Sequence, residues 1–494
     1  MPIASLEAGE KEQALGERIQ TTELIVPISF RPGGSCVSET GFDLVILGGG
    51  SGGYACALRA SQLGLSVALI EKDKLGGTCL HKGCIPTKAL LHAAEVADTA
   101  RESSEFGVST TLNGIDIEGV LKYKDNVVGR LYKGLQGLVK SRAITFIEGE
   151  GRLVGPNTID VAGVQYTGRN IVLATGSYAR SLPGLDIEGR VLTSDQALTL
   201  NEIPKSVIVL GGGVIGVEFA SVWKSFGVEV TIVEGLPRLV PAENEALSKA
   251  LERAFRKRGI NFTTGVRFSG VTQDANGVVV SLESGETLAA DYLLVAVGRG
   301  PRTDGLGYAE QGVSMDRGFV LTNDRLQTNI PGVWAVGDIV PGLQLAHRGF
   351  QQGIFVAEEI AGLNPRAIDE SGIPRVTYCE PEVASVGLTQ AQAEEAHGAA
   401  NVTAYEYNLG GNGKSQILAT TGFIKLVRVN DGPVVGIHMV GARVGELIGE
   451  GQLIVKWEAY PEDVAALVHA HPTQNEAMGE AHLALAGKPL HAHA

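Results

Sequence analysis

A strand that runs into a glycine turn and then a helix occurs twice in this 494-residue chain, at one internal spacing. The first copy opens with Phe42-Asp43-Leu44-Val45-Ile46-Leu47, a short apolar run of the kind that a parallel sheet buries on both faces. It leads into Gly48-Gly49-Gly50-Ser51-Gly52-Gly53, a helical pattern over 54–63, Gly64, and a second strand over 66–70 that closes on Glu71. The second copy has a strand over 206–210, the turn Gly211-Gly212-Gly213-Val214-Ile215-Gly216, a helix over 217–226, Gly227, and a strand over 228–233 closing on Glu234. Gly48, Gly53, Gly64 and Glu71 each have a counterpart 163 residues later. Two dinucleotide-binding βαβ units in one chain are the simplest reading, and they commit the fold to the α/β class.

Each turn carries Gly-x-Gly-x-x-Gly with an acidic residue 23 positions after its first glycine. In that context Gly48 and Gly211 make the turn, and Gly50 and Gly213 admit a pyrophosphate. Gly53 and Gly216 let helix and strand approach, while the helix N-terminus faces the phosphates. Glu71 and Glu234 would each accept a hydrogen bond from a ribose hydroxyl. Glu234 also discriminates between nicotinamide cofactors. A carboxylate about 4 Å from a 2′-phosphate meets repulsion on the order of 4 kcal/mol at an effective dielectric of 20, which is roughly a thousandfold in binding. Arg238 is the competing signal for a 2′-phosphate, and its expected place is the cap of a solvated face. NAD is favoured over NADP.

Between the repeats lie helical stretches over 87–101 and 117–142 and a strand over 170–174. After them come buried strands over 289–297 and 332–336, then alternating runs over 423–428 and 434–440 and a last helix over 461–468. A separate C-terminal domain therefore begins near Arg375. Residues 1–40 are polar and broken by Arg31-Pro32-Gly33-Gly34-Ser35, which suggests a loosely ordered extension. A net charge of −14 disfavours nucleic acid and anionic membrane as partners. The longest apolar stretch, 206–223, is interrupted by four glycines and Glu218, so no membrane span is expected. Five cysteines, few and odd in number, fit a reducing compartment, and the expected location is the cytoplasm.

Two further segments carry chemistry. Cys79 and Cys84 stand five apart in Gly76-Gly77-Thr78-Cys79-Leu80-His81-Lys82-Gly83-Cys84-Ile85-Pro86-Thr87-Lys88. On an ideal α-helix their Cα atoms would be roughly 8.6 Å apart, beyond the ~7 Å limit for a disulfide. Bonding requires a distorted turn, which Gly83 eases, and the bond would suit exchange. Lys82 and a helix N-terminus would favour thiolate. A metal pair or two structural cysteines are the bland alternatives, with no further ligands close by; no metal is expected. Near the C-terminus, His469-Ala470-His471-Pro472-Thr473-Gln474-Asn475-Glu476 offers an imidazole with a carboxylate at short range. Taken alone, surface histidines in a His-rich tail are the commoner explanation.

Taken together, the two glycine turns, the Cys-x4-Cys after the first and the His-Pro with a downstream Glu resemble the pyridine nucleotide–disulfide oxidoreductases, over about residues 41 to 490. The resemblance implies two Rossmann-like dinucleotide-binding domains, for FAD (41–187 with 310–372) and NAD (188–309), and a C-terminal α+β dimerisation domain (373–494). It makes Cys79 and Cys84 a redox-active disulfide and His471 a base oriented by Glu476. Ala174-Thr175-Gly176-Ser177 resembles the strand returning to the flavin, and Ala296-Val297-Gly298-Arg299 the nicotinamide-side turn. Gly337-Asp338 resembles the turn whose Asp holds the ribityl chain, and Leu345-Ala346-His347 the helix start beneath the isoalloxazine. The family pattern adds Gly77, Thr78, Gly151 and Val266 to the cofactor contacts, and places Lys88 at the flavin edge paired with Glu218.

The nearest branch oxidises protein-bound dihydrolipoamide with reduction of NAD+. A homodimer serving lipoyl domains of 2-oxoacid dehydrogenase or glycine-cleavage systems is therefore expected, with the partner's His471 reaching each disulfide. Glu234 speaks against a glutathione-type reductase, and the absence of cysteine after Cys379 speaks against a mercuric reductase. A related reductase of another small disulfide, or a non-catalytic scaffold flavoprotein, is the remaining alternative. Departures are modest: His81-Lys82 where Asn-Val is common, and Gly349-Phe350-Gln351-Gln352 where acidic residues are common. Val37-Ser38-Glu39-Thr40 looks like a family N-terminus, so the residues before it are expected to reflect a misassigned start.

Overall fold

Every peptide group of a buried strand needs a partner, and the computed structural model, which describes residues 41–492, meets that need mainly with a mixed seven-stranded sheet, a parallel five-stranded sheet and an antiparallel five-stranded sheet, beside three smaller ones. Strand Gly41–Leu47 lies between Val67–Glu71 and Val164–Leu173, all parallel, with Thr145–Glu148 and Val333–Ala335 added in the same sense. Two antiparallel strands, Thr158–Val161 and Gly151–Gly155, extend this sheet to seven. Leu44, Val45 and Ile46 are fully buried, as an unalternating strand covered on both faces must be. The second repeat forms an all-parallel sheet in the order Asn261–Thr264, Glu229–Glu234, Ser206–Leu210, Tyr292–Val295, Val191–Thr193. The C-terminal part is an antiparallel five-stranded sheet from Arg375–Thr377 to Val434–Gly441, with the helices Val444–Lys456 and Glu476–Leu485 contributing to its core.

Three expectations are corrected. The run 289–297 is not one strand: Thr287–Ala290 ends a three-stranded antiparallel sheet, and Tyr292–Val295 starts anew in the parallel one. Asp291 divides them, its side chain accepting from the backbone N–H groups of Lys205 and Ser206. The helix over 461–468 is shorter, Pro461–Ala465, and is not the last. Glu476–Leu485 follows, because Ala477, Met478 and Ala481 fall on one helical face and are buried against the C-terminal sheet. The expected N-terminal extension, with Cys36, and the terminal His493 lie outside the described residues.

One packing detail positions the chemistry. The helix Cys84–Glu102 begins at a thiol, and its Leu90 and Ala94 share a core with Phe219, Ala220 and Trp223 of the second repeat's helix and with Val383 and Val440 of the C-terminal sheet. The cysteine-bearing helix is thus gripped by segments from both later regions. Among the described residues, no helix is long and apolar enough to cross a membrane.

Candidate active site

The two glycine turns repeat each other atom by atom. Gly48 has φ +109°, and a Cβ there would come within 2.2 Å of the Ala174 carbonyl oxygen; Gly211 has φ +112° and would meet the Ala296 oxygen at 2.4 Å. A Cβ on Gly53 would lie 1.8 Å from the Gly48 oxygen, and one on Gly216 1.9 Å from the Gly211 oxygen. Gly50 and Gly213 differ in kind: a Cβ on either would meet no protein atom within 4 Å. Packing therefore explains the first and third glycines, and the middle one leaves bare backbone toward a cavity that both Gly50 and Gly213 line. Those bare turns, each at the start of a helix, fit a pyrophosphate. The cavity has a volume of about 1710 Å³, room for more than one extended ligand.

Glu71 and Glu234 occupy equivalent places. Glu71 accepts from the Gly49 and Asp73 N–H groups at 2.7 and 2.9 Å; Glu234 accepts from Gly212 and Leu236 at 2.6 and 2.7 Å. Each carboxylate closes its own turn, and a carboxylate's remaining lone pairs can still take a ribose hydroxyl. Glu234 lines the cavity. Arg238 does not cap a solvated face as expected. Its Nη2 donates to the Pro241 and Glu243 carbonyls at 2.9 and 3.2 Å, which commits that nitrogen to its own loop.

The cysteine segment is two helices. Gly77–Lys82 and Cys84–Glu102 meet at Gly83, where φ −151° and ψ −113° break the ladder. That break brings the thiols, which five helical residues would hold apart, into hydrogen-bonding contact. The bond from Cys79 pulls Cys84 down to about 7; burial opposes this and the Lys88 charge assists. Cys79 is raised, first by its bond to Cys84 and then by burial. The two environments thus act in opposite directions, favouring the thiol at Cys79 and the thiolate at Cys84. Lys88 Nζ donates to both Glu218 oxygens at 2.8 Å. Burial would lower the Lys88 pKa, but Glu218 outweighs it and the net direction is upward. Glu218 is itself only 3% exposed and accepts from the Tyr378 N–H at 2.9 Å.

Thr78, Cys79, Cys84, Lys88, Gly176, Asp338, Leu345, Ala346 and His347 line the cavity on the side of the first turn, and Gly211, Glu218 and Gly298 on the side of the second. Ser177 and Thr175 stand just behind: Ser177 Oγ donates to Asp338, and Thr175 Oγ1 to the Arg302 carbonyl at 2.6 Å. Gly77, at φ +59°, packs its bare Cα region on Gly50. Val266 donates its N–H to the Glu234 carbonyl at 3.3 Å. Gly151 is buried in a strand, where a Cβ would come 2.6 Å from Leu47 Cδ1, so packing alone accounts for that glycine.

His471 and Glu476 do form a pair, Nδ1 to Oε1 at 2.8 Å, yet neither lines the cavity, and the His471 side chain is 78% exposed. Sequence reasoning missed three participants. Arg299 donates to Ser177 Oγ at 2.7 Å and to its carbonyl at 3.0 Å. Gln352 accepts from the Gly337 N–H at 2.7 Å, steadying the turn that presents Asp338. Tyr378 sets its ring 4.7 Å from Lys88 Nζ. Arg299 and Gln352 stood inside motifs already singled out; Tyr378 carried no local signal.

Residues 42–353 match the family described as pyridine nucleotide-disulphide oxidoreductase, and residues 373–482 its dimerisation domain. A dihydrolipoyl dehydrogenase of Bacillus subtilis (strain 168) is 41% identical over 473 residues, spanning 92% of this chain and 99% of that protein. Dihydrolipoyl dehydrogenase 1, mitochondrial, of Arabidopsis thaliana is 39% identical over 464 residues, 91% of each. The crystal structure of LpdA from Mycobacterium tuberculosis superposes with a TM-score of 0.83 at 26% identity, covering 90% of this chain and 99% of that one. With both family segments in sequence and the thiol pair between its two glycine turns, the chain belongs to the pyridine nucleotide–disulphide oxidoreductases.

Proposed function

We propose that this chain is a dihydrolipoyl dehydrogenase, oxidising protein-bound dihydrolipoamide to lipoamide with reduction of NAD+. The observation that carries the reading is the thiol pair: Cys79 and Cys84, on two helices that meet at Gly83, line one cavity flanked by two bare glycine turns. FAD, held over 41–187 and 310–372, supplies the two-electron relay between this dithiol and NAD+ held over 188–309. The C-terminal residues 373–494 pair two subunits.

His471 removes a proton from one substrate thiol, and the resulting thiolate attacks Cys79 Sγ of the disulfide. The Cys79–Cys84 bond breaks, a mixed disulfide forms, and Cys84 leaves as a thiolate beside the Lys88 charge. The second substrate thiol then displaces Cys79, closing lipoamide; His471 hands its proton to the departing Cys79 sulfur and takes up the one that the second thiol gives up. The end state is a thiol at Cys79 and a thiolate at Cys84, the distribution favoured by the two shifts. Glu476 holds the imidazole in position for both transfers. Glu234, with Arg238 Nη2 bonded to its own loop, favours NAD over its phosphorylated analogue. The partners are the lipoyl domains of a 2-oxoacid dehydrogenase or glycine-cleavage system, and the reducing cytoplasm suits the free thiols.

The test is steady-state turnover of the purified yellow protein with dihydrolipoamide and NAD+, NADP+, or glutathione disulfide and NADPH. Turnover with dihydrolipoamide and NAD+ alone is expected. Activity with another disulfide instead would overturn the substrate, and NADH-driven dye reduction without any disulfide turnover would favour a scaffold role.

A further inference from the structure

Within a single subunit the His471 side chain is 78% exposed, so before a partner covers it the ring is placed by whatever holds its loop. The loop over 469–475 joins the region after Pro461–Ala465 to the helix Glu476–Leu485. Contacts within it set the ring against the following helix: Glu476 Oε1 meets His471, its Oε2 accepts from the Thr473 N–H at 2.8 Å, and Thr473 Oγ1 donates to the Ala470 carbonyl at 2.7 Å. None of these ties the loop to any helix but the one that follows it.

Glu450 does. It belongs to a separate helix, Val444–Lys456, whose Val444, Ile448 and Ile454 are buried in the C-terminal core. Its Oε1 pairs with His469 Nε2 at 2.9 Å, and its Oε2 accepts from Asn475 Nδ2. One carboxylate therefore closes the neck of the loop, holding its first and last residues with His471 near the middle. Both partners are committed to the task. The His469 ring lies against Gly479, where a Cβ would come 2.6 Å from Nδ1. Asn475 precedes a helix without capping it. Two neutral ties, Asn412 to the Thr473 carbonyl and Gln474 to the Ala442 carbonyl, both at 2.9 Å, anchor only the side after His471. Before His471, over 466–470, the Glu450 bond is the one side-chain hydrogen bond from another element among the described residues.

We propose that Glu450 is a positioning residue for the His471 base, tying both ends of its loop so that the imidazole geometry is set before a substrate thiol arrives. The proposal rests on the reading of His471 as the base. Misplacing a reacting group by about 1 Å costs on the order of a hundredfold, so Glu450→Ala in the full-length holoenzyme should lower kcat for dihydrolipoamide by about ten- to a hundredfold. The KM for dihydrolipoamide and the NADH-driven reduction of ferricyanide, which bypasses His471, should stay unchanged. Glu450→Gln keeps an acceptor for His469 and can meet Asn475 with that amide turned over, so it should restore most of the kcat.

Full dihydrolipoamide turnover in Glu450→Ala overturns the proposal. Parallel loss of both activities with release of FAD also overturns it, since Glu450 would then be an ordinary structural residue. A Gln variant as poor as Ala overturns the tie in favour of a purely electrostatic role. His471→Gln, run alongside, separates the two readings. If it retains dihydrolipoamide turnover, the base assignment fails; if it is inactive while Glu450→Ala is unimpaired, only the positioning role fails.

Discussion

Cys79 and Cys84 are the same chemical group in the same cavity, and their environments drive them in opposite directions. The hydrogen bond from Cys79 is the largest influence lowering Cys84 to about 7, and Lys88 adds to it against the cost of burial. In reduced protein the ultraviolet absorbance of the thiolate should therefore rise with a midpoint near 7. Cys79→Ala removes the donor, so the midpoint should move to higher pH. The same midpoint in that variant would mean that Lys88 alone sets the Cys84 affinity. Glu234 is a second residue with two duties. It closes the second turn through two backbone N–H groups and stands where a 2′-phosphate would be repelled. Glu234→Ala should raise the NADPH-to-NADH ratio of kcat/KM by up to about a thousandfold. It should also lower Tm, because the Gly212 amide is buried and an orphaned buried amide costs about 1–3 kcal/mol. An unmoved ratio would remove Glu234 from cofactor choice.

At the scale of elements, the glycine turns separate architecture from ligand contact. Gly48 and Gly211 sit at positive φ with a carbonyl oxygen where a Cβ would go, whereas Gly50 and Gly213, at φ −71° and −78°, face open space. Gly50→Ala should leave Tm of the FAD-free protein unchanged and release FAD more readily. Gly213→Ala should likewise weaken NADH binding alone, measured by fluorescence titration. Gly48→Ala should instead lower Tm of the FAD-free protein. Equal destabilisation by Gly48→Ala and Gly50→Ala would erase the distinction. These turns were legible in sequence because the strand before each is fully apolar and the spacing repeats. The short antiparallel strands Phe268–Gln273, Val278–Leu282 and Thr287–Ala290 were not, since they run only four to six residues, the first shows no regular alternation of burial, and nothing repeats. The helix Glu476–Leu485 was hidden for another reason: it is only ten residues long, and two of the three residues it adds to the core, Ala477 and Ala481, are small. The Gly83 break was legible from covalent geometry alone, because an unbroken helix keeps two cysteines five apart from meeting.

At the scale of the whole molecule, the thiols and the proposed base stand apart within one chain. Cys79 and Cys84 line the cavity, while His471 and Glu476 stand outside it on the C-terminal part that the family uses for dimerisation. The C-terminal part looks unfinished in a single subunit: Val468, three residues before that imidazole, is 99% exposed, and Trp457, just after the helix Val444–Lys456, 76%. Apolar side chains of that size left open to water mark a surface that another molecule covers. In an isologous dimer each site would combine Cys79 and Cys84 of one subunit with His471 and Glu476 of the other. Mixing tests this. Cys79→Ser chains and His471→Gln chains should each be inactive alone, since every site in either homodimer lacks one essential group. Refolded together at equal amounts, about half of the dimers pair one of each, and in those one site inherits both wild-type groups while the other inherits neither. About a quarter of native dihydrolipoamide turnover should return. If mixed dimers form, shown by separately tagged chains purifying together, and no activity returns, His471 serves the thiols of its own chain. The exposed imidazole would then have to reach the cavity by a rearrangement within the subunit.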